Sequence, residues 1–216
     1  NRAKLWAGQR FDMEVELPKS TTAQKITING QDASVVFGKK AIITDYPNYR
    51  SYRINDVAFK TAGPITVQAT AQTALGTATK SVNYNVVSEK APRLAKNVIV
   101  FIGDGMSLQA KELARILSKG LSEGKYNDLL NMEKMPYLAE ITTSGYDSLV
   151  TDSANSMSAY MTGNKSVVNA MGVYENSTPD PLDDPKVENL SEILSRSKGM
   201  SYGMVTTAAI TDATPA

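Results

Sequence analysis

Three short segments of the sequence each place oxygen-bearing side chains directly after a predicted strand. The side chains are Asp104 after residues 98–102, Asp152 and Ser153 after residues 148–151, and Asp212 and Thr214 after residues 202–207. Ligands of open α/β sheets bind beyond the carboxyl ends of the strands. If the three strands are parallel neighbours, these carboxylates and hydroxyls converge at one sheet edge, where they could bind a hard divalent cation such as Mg²⁺.

Two of these segments also fit ordinary turns. Asp104 lies between Gly103 and Gly105, and these glycines would let its carboxylate approach a metal closely. The alternative is a turn aspartate that caps the following helix. Asp212 and Thr214 precede a proline, where an Asx or threonine turn is the alternative to a pair of Mg²⁺ ligands. The spacing alone leaves both alternatives open.

Ser153 opens a predicted helix that ends at Gly163. Backbone N–H groups at a helix N-terminus favour anions, so a serine there is either a simple N-cap or a nucleophile beside an anion site. A nucleophilic serine must be activated. Because the chain contains no histidine, a metal ion bound to the hydroxyl oxygen is the natural activator.

The composition excludes several kinds of chemistry from this chain. It has no cysteine and no histidine, so thiolate sites, a Ser-His-Asp triad and histidine-bound metals are impossible within it. The 23 basic and 22 acidic residues balance to a net charge of +1, which gives no general attraction to nucleic acid or anionic membranes. The apolar run at 98–102 is far too short to span a bilayer. We therefore expect neither a nucleic-acid partner nor a membrane span.

The first 90 residues differ in pattern from the part that contains the candidate site. Short segments with alternating apolar and polar residues recur, and helical periodicity is missing. The predicted strands are 11–17, 26–28, 35–37, 52–54, 65–69 and 82–87, with a tight turn at Asn29-Gly30. Six or seven short strands in roughly 90 residues predict a small all-β, immunoglobulin-like sandwich over residues 1–90.

A linker is predicted over 91–96, within a polar stretch that begins at Glu89. The charge changes there, from +5 over residues 1–92 to −4 over residues 93–216. Beyond it the predicted strands are 98–102, 138–143, 148–151 and 202–207, and the predicted helices are 107–119, 153–162 and a segment over 187–194 that Gly199 closes. Residues 175–185 are predicted to be an exposed loop. This alternation predicts an α/β layer with a mainly parallel sheet over 97–216.

Three segments of this second region resemble signatures of the N-terminal half of alkaline phosphatases. They are NVIVFIGDGM at 97–106, VTDSANSMSAYMTGNK at 150–165 and VTTAAITDATPA at 205–216, in the order of the family. The resemblance covers about residues 94–216, and the β-sandwich before it is an addition. Ser107 and Asn155 stand where the family frequently has glycine and alanine, and both changes leave the chemistry in place.

The resemblance implies a role for each candidate residue in the hydrolysis of phosphate monoesters. Ser153 matches the serine that becomes phosphorylated and contacts metal, and Asp152 matches the acid that orders the site. Asp104 matches the aspartate that bridges one zinc and the magnesium, and Asp212 and Thr214 match magnesium ligands. Asp212 stands where family members have Asp or His, and an aspartate favours Mg²⁺. The expected cofactors are two Zn²⁺ and one Mg²⁺.

The resemblance also implies that residues 97–216 are a truncated catalytic domain. The family's histidine ligands, phosphate-binding arginine and remaining acids would lie in the C-terminal part of the same protein, which is therefore an expected partner. We expect this chain alone to be inactive. The family further implies a periplasmic or extracellular location and is compatible with a homodimer.

Two other functions fit the same residues. One is another hydrolase of the superfamily, such as a phosphodiesterase, with Ser153 still the nucleophile. The other is a binding module in which the sandwich docks to a surface, glycan or partner and the catalytic part is vestigial. Its suggestive feature is a cluster of exposed aromatic and basic residues, namely Tyr46, Tyr49, Tyr52, Arg50 and Arg53. The alternative for that cluster is a tyrosine-rich strand pair with solvated arginines.

Overall fold

The computed structural model describes residues 3–88 and 95–215. Its residues form two compact units, one combining the N-terminal region with the chain from Gly145 onward, and one ending at Ser144. Apart from Ala95 and Lys96, the predicted linker over 91–96 and the polar stretch before it at Glu89 and Lys90 lie outside the described residues. The predicted domain boundaries stay a prediction.

Eight strands are described before residue 89. They are β1 (Lys4–Trp6), β2 (Phe11–Pro18), β3 (Ala23–Ile28), β4 (Gln31–Asp32), β5 (Ile42–Asp45), β6 (Tyr49–Val57), β7 (Gly63–Thr73) and β8 (Gly76–Val87). Five form a sheet in the order β1-β8-β7-β3-β4, and three form a sheet in the order β2-β6-β5. The β1–β8 pair is parallel and the other pairs are antiparallel.

The two sheets share one hydrophobic core. Ile26 and Val86 enter it from the five-stranded sheet, and Phe11, Met13 and Ile54 enter it from the three-stranded sheet. In β2 the core residues alternate with acidic ones because successive side chains of a strand point to opposite faces. A sheet-rich N-terminal region is therefore confirmed.

The turn at Asn29-Gly30 is confirmed, but the strand predicted at 35–37 is wrong. Asn29 and Gly30 have φ values of 49° and 86°, which a tight hairpin turn requires, and they join β3 to β4. Residues Ala33–Phe37 form the short helix α1. Asp32 caps its start and Gly38, with φ of 64°, ends it. Three adjacent apolar residues fit a strand or a helical turn equally well. Here the capping residues at both ends favour the helix.

The prediction that the aromatic cluster of the N-terminal region is exposed is wrong for Tyr49 and Tyr52. Tyr49 and Tyr52 are only 8% and 7% exposed, because β6 is the central strand of its sheet. The Tyr52 hydroxyl lies 3.0 Å from the Ser34 hydroxyl, and Arg53 pairs with Asp12 at 2.8 Å. The tyrosines therefore belong to a packed strand pair, and the arginine forms a partly buried ion pair.

Beyond residue 94, the predicted helices are confirmed and the predicted strands are not. The helices are α2 (Leu108–Lys119), α3 (Ser153–Thr162) and α4 (Leu190–Lys198), and they end at Gly120, Gly163 and Gly199. The strands in the described part of this region are β9 (Leu121–Ser122) and β10 (Lys125–Tyr126), which form a hairpin. In the unit that ends at Ser144, the Arg115 guanidinium lies 4.2 Å from the centroid of the Tyr126 ring.

The four segments predicted as strands at 98–102, 138–143, 148–151 and 202–207 are not strands in the described residues. Residues 98–102 are between 47% and 86% exposed. A strand exists only when a neighbouring strand accepts and donates its ladder of hydrogen bonds, and none of these four segments belongs to a sheet of the described residues. Among the described residues, no helix has the length and apolar character needed to cross a membrane.

Candidate active site

Ser153 is the first residue of α3, and Asp152 caps the helix. The Asp152 carboxylate accepts a hydrogen bond from the Asn155 N–H at 3.0 Å, and the Asn155 side-chain oxygen accepts one from the Asp152 N–H at 3.2 Å. This reciprocal pair is a capping box. The alternative in which Ser153 is only an N-cap is therefore wrong. Within the described part of the chain, no hydrogen bond occupies the Ser153 hydroxyl.

The second oxygen of Asp152 is also bound. Asp152 Oδ2 accepts a hydrogen bond from the Asn169 N–H at 2.8 Å. Nearby, Asp147 Oδ1 accepts one from the Val168 N–H at 3.2 Å. Both carboxylate oxygens of Asp152 thus bind backbone amides, which holds its negative charge in a fixed place next to Ser153.

Asn155 is buried under the start of the helix, with 2% exposure. The Thr151 hydroxyl donates a hydrogen bond to its side-chain oxygen, and its Nδ2 atom has no hydrogen-bond partner among the described residues. Gly145 approaches so closely that a Cβ atom there would lie 2.5 Å from Asn155 Nδ2. The absence of a side chain at position 145 therefore leaves the space that Asn155 occupies.

The middle of α3 is fixed through Ser158, which is 1% exposed. Its hydroxyl donates to the Ala170 carbonyl at 3.0 Å and accepts from the Gly172 N–H at 2.8 Å. The helix is thus bound to the segment 167–172 at its start and at its centre. The N-terminal end of this helix, where Ser153 lies, carries the partial positive charge of the helix dipole, which favours anions in general.

Asp104 lies in an exposed turn of the other unit. Gly105 has φ of 65°, and the Met106 N–H donates to the Gly103 carbonyl at 3.1 Å. The N-cap of α2 is Ser107, whose hydroxyl accepts from the Ala110 N–H at 3.1 Å. The alternative in which Asp104 caps that helix is therefore wrong.

Asp212 and Thr214 lie in a local turn, as one of the sequence alternatives predicted. The Asp212 N–H donates to the Ala209 carbonyl at 2.9 Å, and its Oδ1 atom accepts from the Ala213 N–H at 2.8 Å. Asp212 is exposed and Thr214 is half-buried. Asp212 Oδ2 accepts no hydrogen bond within the described residues, and Asp212 is exposed, so this oxygen is accessible to a cation.

The described residues contain no group of three or more His, Cys, Asp or Glu side chains close enough to hold a metal ion. The convergence of the candidate ligands therefore stays a prediction. The donors are carboxylate and hydroxyl oxygens, which suit Mg²⁺ and can also contribute to Zn²⁺ sites. The donor chemistry fits the expected cations, although the set is incomplete.

Sequence reasoning named Asp152 but missed the other residues that hold the start of α3 in place. The spacing of Asp152 and Asn155 is that of a capping box with asparagine at its third position, and this signal could have identified the pair. Gly145, Ser158 and Asn169 act through contacts with distant parts of the chain, for which the local pattern contains no signal.

Comparison with known proteins agrees with the resemblance. The sequence model of the family described as alkaline phosphatase matches residues 95–216. The chain is 38% identical over 125 residues to the tissue-nonspecific alkaline phosphatase isozyme of Gallus gallus and 34% identical over 125 residues to that of Homo sapiens, covering 56% of this chain and 24% of each relative. It is 34% identical over 123 residues to the repressible alkaline phosphatase of Saccharomyces cerevisiae, covering 56% of this chain and 20% of that protein.

No solved structure matches the chain. The chain spans about a quarter of the length of the relatives from Gallus gallus and Homo sapiens. The family match nevertheless covers more than half of the chain, from residue 95 to residue 216, and includes all five candidate residues. The chain therefore belongs to the alkaline phosphatase family.

Proposed function

We propose that residues 95–216 supply the nucleophile and part of the cation ligands of an enzyme that hydrolyses phosphate monoesters. The relatives named above are alkaline phosphatases, which supports this class of reaction. Ser153 is the proposed nucleophile, and Asp152 holds the start of its helix.

One observation supports this proposal most strongly. Ser153 is the first residue of α3, its hydroxyl has no hydrogen-bond partner in the described residues, and Asp152 performs the capping that a terminal serine would otherwise perform. The hydroxyl is therefore available for chemistry. The N-terminal end of the helix favours the negative charge of an incoming phosphoryl group.

The proposed cation ligands are Asp104, Ser153, Asp212 and Thr214. Asp212 and Thr214 suit Mg²⁺, because both offer hard oxygen atoms. Asp104 would contribute carboxylate oxygens to the binding of Mg²⁺ and of one of two Zn²⁺ ions. When bound, these cations would favour the ionised serine hydroxyl and offset the charge of the phosphoryl oxygens.

In the proposed reaction, Ser153 Oγ attacks the phosphorus atom in line with the leaving oxygen. The bond between phosphorus and the leaving oxygen breaks, the alcohol departs with a proton, and phosphoserine forms. Water then attacks the phosphoserine, which releases inorganic phosphate and restores the hydroxyl. Asp152 keeps the nucleophile in place through both steps, because its two oxygens are bound to the Asn155 and Asn169 amides.

We propose that the complete site also needs residues that this chain does not contain. The chain has no histidine, and its described acids form no metal-binding group. The exposed apolar run at 98–102 would gain strand neighbours in a mainly parallel α/β sheet of a complete domain.

We further propose an immunoglobulin-like sandwich at the N-terminus, a periplasmic or extracellular location and a homodimeric assembly. We expect the 216-residue chain alone to be inactive.

The test is the activity of the full-length, metal-loaded protein on a phosphate monoester and a phosphate diester. We expect turnover of the monoester, and a loss of about 10³-fold or more in Ser153→Ala. Ser118→Ala, on the exposed face of α2, should retain activity. Preferential turnover of the diester would support a phosphodiesterase, and unaltered monoester turnover in Ser153→Ala would overturn the proposal.

A further inference from the structure

Gln9 connects the N-terminal region directly to the end of α3. It lies outside the family match at 95–216 and is 1% exposed. Its Nε2 atom donates to the Thr162 carbonyl at 3.1 Å and to the Glu188 carbonyl at 2.9 Å. Its Oε1 atom accepts from the Trp6 N–H at 3.0 Å. Since Thr162 ends the helix, its carbonyl has no partner within the helix, and Gln9 helps to supply one.

A second connection joins β1 to Asn164, two residues beyond the end of α3. The Lys4 N–H donates to Asn164 Oδ1 at 2.7 Å, and Asn164 Nδ2 donates to the Lys4 carbonyl at 3.2 Å. Asn164 Nδ2 also donates to the Thr162 carbonyl at 3.1 Å. β1 is an edge strand, and the side-chain amide of Asn164 pairs with it as a neighbouring strand would.

A third connection extends the three-stranded sheet towards the centre of α3. The Asp12 N–H donates to the Lys186 carbonyl at 2.8 Å, and the Val187 N–H donates to the Gly172 carbonyl at 2.9 Å. Val187 is buried in the core that the two sheets share. Gly172 in turn donates to the hydroxyl of Ser158 on α3. The helix is therefore bound to the N-terminal sheets at its centre and at its C-terminal end.

We propose that the N-terminal sheets position the helix that begins at Ser153, and that Gln9 is a positioning residue for this serine. This inference rests on the proposed function of Ser153 as nucleophile. Ser153 lies about 14 Å along the helix axis from Thr162, at about 1.5 Å per residue. A tilt of about 4° at the anchored end would move the serine by about 1 Å, and a displacement of that size can lower a reaction rate about 10²-fold.

The test compares Gln9→Met with wild type in the full-length protein. Methionine has a similar volume but cannot donate to the two carbonyls. We expect amide hydrogen exchange in residues 159–163 to become about tenfold faster or more. We expect the turnover number, calculated per chain that can form phosphoserine at Ser153, to fall about tenfold. KM should change less than about twofold. Counting the chains that form phosphoserine separates slower chemistry from loss of folded enzyme.

The matched control is Gln68→Ala. It removes the 3.2 Å hydrogen bond from exposed Gln68 on β7 to Ser81 on β8 and should change neither quantity. Asn164→Leu is the second variant if Gln9→Met does not fold, and it should have the same two effects. Unchanged exchange in residues 159–163 would overturn the inference, as would unchanged turnover alongside faster exchange. If the wild-type protein has no phosphatase activity, the proposed function fails, and the exchange measurement still decides whether Gln9 holds the helix.

Discussion

The Asp152 carboxylate binds the backbone N–H of Asn155 at 3.0 Å, and the Asn155 side-chain oxygen binds the backbone N–H of Asp152 at 3.2 Å. These two bonds satisfy N–H groups that have no partner inside the helix. The same carboxylate binds the Asn169 N–H at 2.8 Å. Asp152 therefore fixes both the start of α3 and the segment packed beside it, which leaves the Ser153 hydroxyl without a structural task.

Replacing Asp152 tests this arrangement. Asp152→Ala removes the cap and the bond to Asn169, and should lower the free energy of unfolding by about 1–2 kcal/mol. Asp152→Asn keeps a capping oxygen and should lose less than half of that amount. Denaturant unfolding of both variants measures the difference, and equal losses in the two would show that capping is not what Asp152 contributes.

Adding one methyl group at Gly145 should disturb Asn155. In Gly145→Ala the new Cβ atom would lie 2.5 Å from Asn155 Nδ2, and the 2% exposed asparagine has little room to move. We expect a loss of about 1–3 kcal/mol in unfolding free energy. Gly203→Ala is the control, because a Cβ atom there meets nothing within 4 Å. Equal stability of the two variants would contradict the close approach.

Removing Arg53 should destabilise the N-terminal sheets far more than removing Arg50. Arg53 pairs with Asp12 at 2.8 Å and lies 3.6 Å from Glu14, whose side chain is 6% exposed. Burial raises the pKa of Glu14, and its bond to Ser51 and the charge of Arg53 oppose that rise.

We expect Arg53→Ala to lose about 2–4 kcal/mol, because it leaves a buried carboxylate without its cation. Arg50 pairs with the more exposed Asp45, so Arg50→Ala should lose about 1 kcal/mol or less. Thermal or denaturant unfolding compares the two, and a larger loss in Arg50→Ala would refute this assignment.

Acid should weaken the hydrogen bonds that the Glu188 carboxylate accepts from the Arg196 side chain and from the Arg10 N–H. Burial by itself would raise the pKa of Glu188, but hydrogen bonds from Arg196 and from the Arg10 N–H more than offset it, so the pKa lies below its usual value. A carboxylate whose pKa is lowered by folding stabilises the protein above its unfolded pKa of about 4.3. That stabilisation is lost as the pH falls through the folded pKa.

The stability of wild type and Glu188→Gln should therefore differ most near neutral pH and converge below about pH 4. Unfolding measured across this pH range in both proteins checks the prediction. A difference that grows on acidification would mean that the ionised Glu188 does not stabilise the fold.

The sequence predicts elements whose signals are local. Caps at Ser107, Gly163 and Gly199 delimit the helices, and the alternation from Phe11 to Leu17 delimits β2, because each pattern depends on neighbours within a few residues. The run at 98–102 has the composition of a buried strand, but a strand forms only with a partner that the local sequence does not specify.

In the candidate site, too, local patterns predict some residues, whereas others depend on contacts with distant parts of the chain. The family resemblance and the position after a predicted strand predict Asp152 and Ser153 as site residues, and the spacing of Asp152 and Asn155 is the local signal of the capping box. Gln9 could not be predicted, because the carbonyl that it binds belongs to Thr162, 153 residues further along the chain. A buried amide side chain at that distance leaves no periodic pattern in the sequence.

The most direct test of the account is covalent trapping of phosphate on Ser153. The full-length, metal-loaded protein is mixed with a phosphate monoester and quenched in acid, and the peptide that contains Ser153 is examined by mass spectrometry. The account predicts one phosphoryl group on Ser153, and none on this peptide in Ser153→Ala. Turnover of the monoester without any phosphate on Ser153, or with phosphate on another residue, would contradict it.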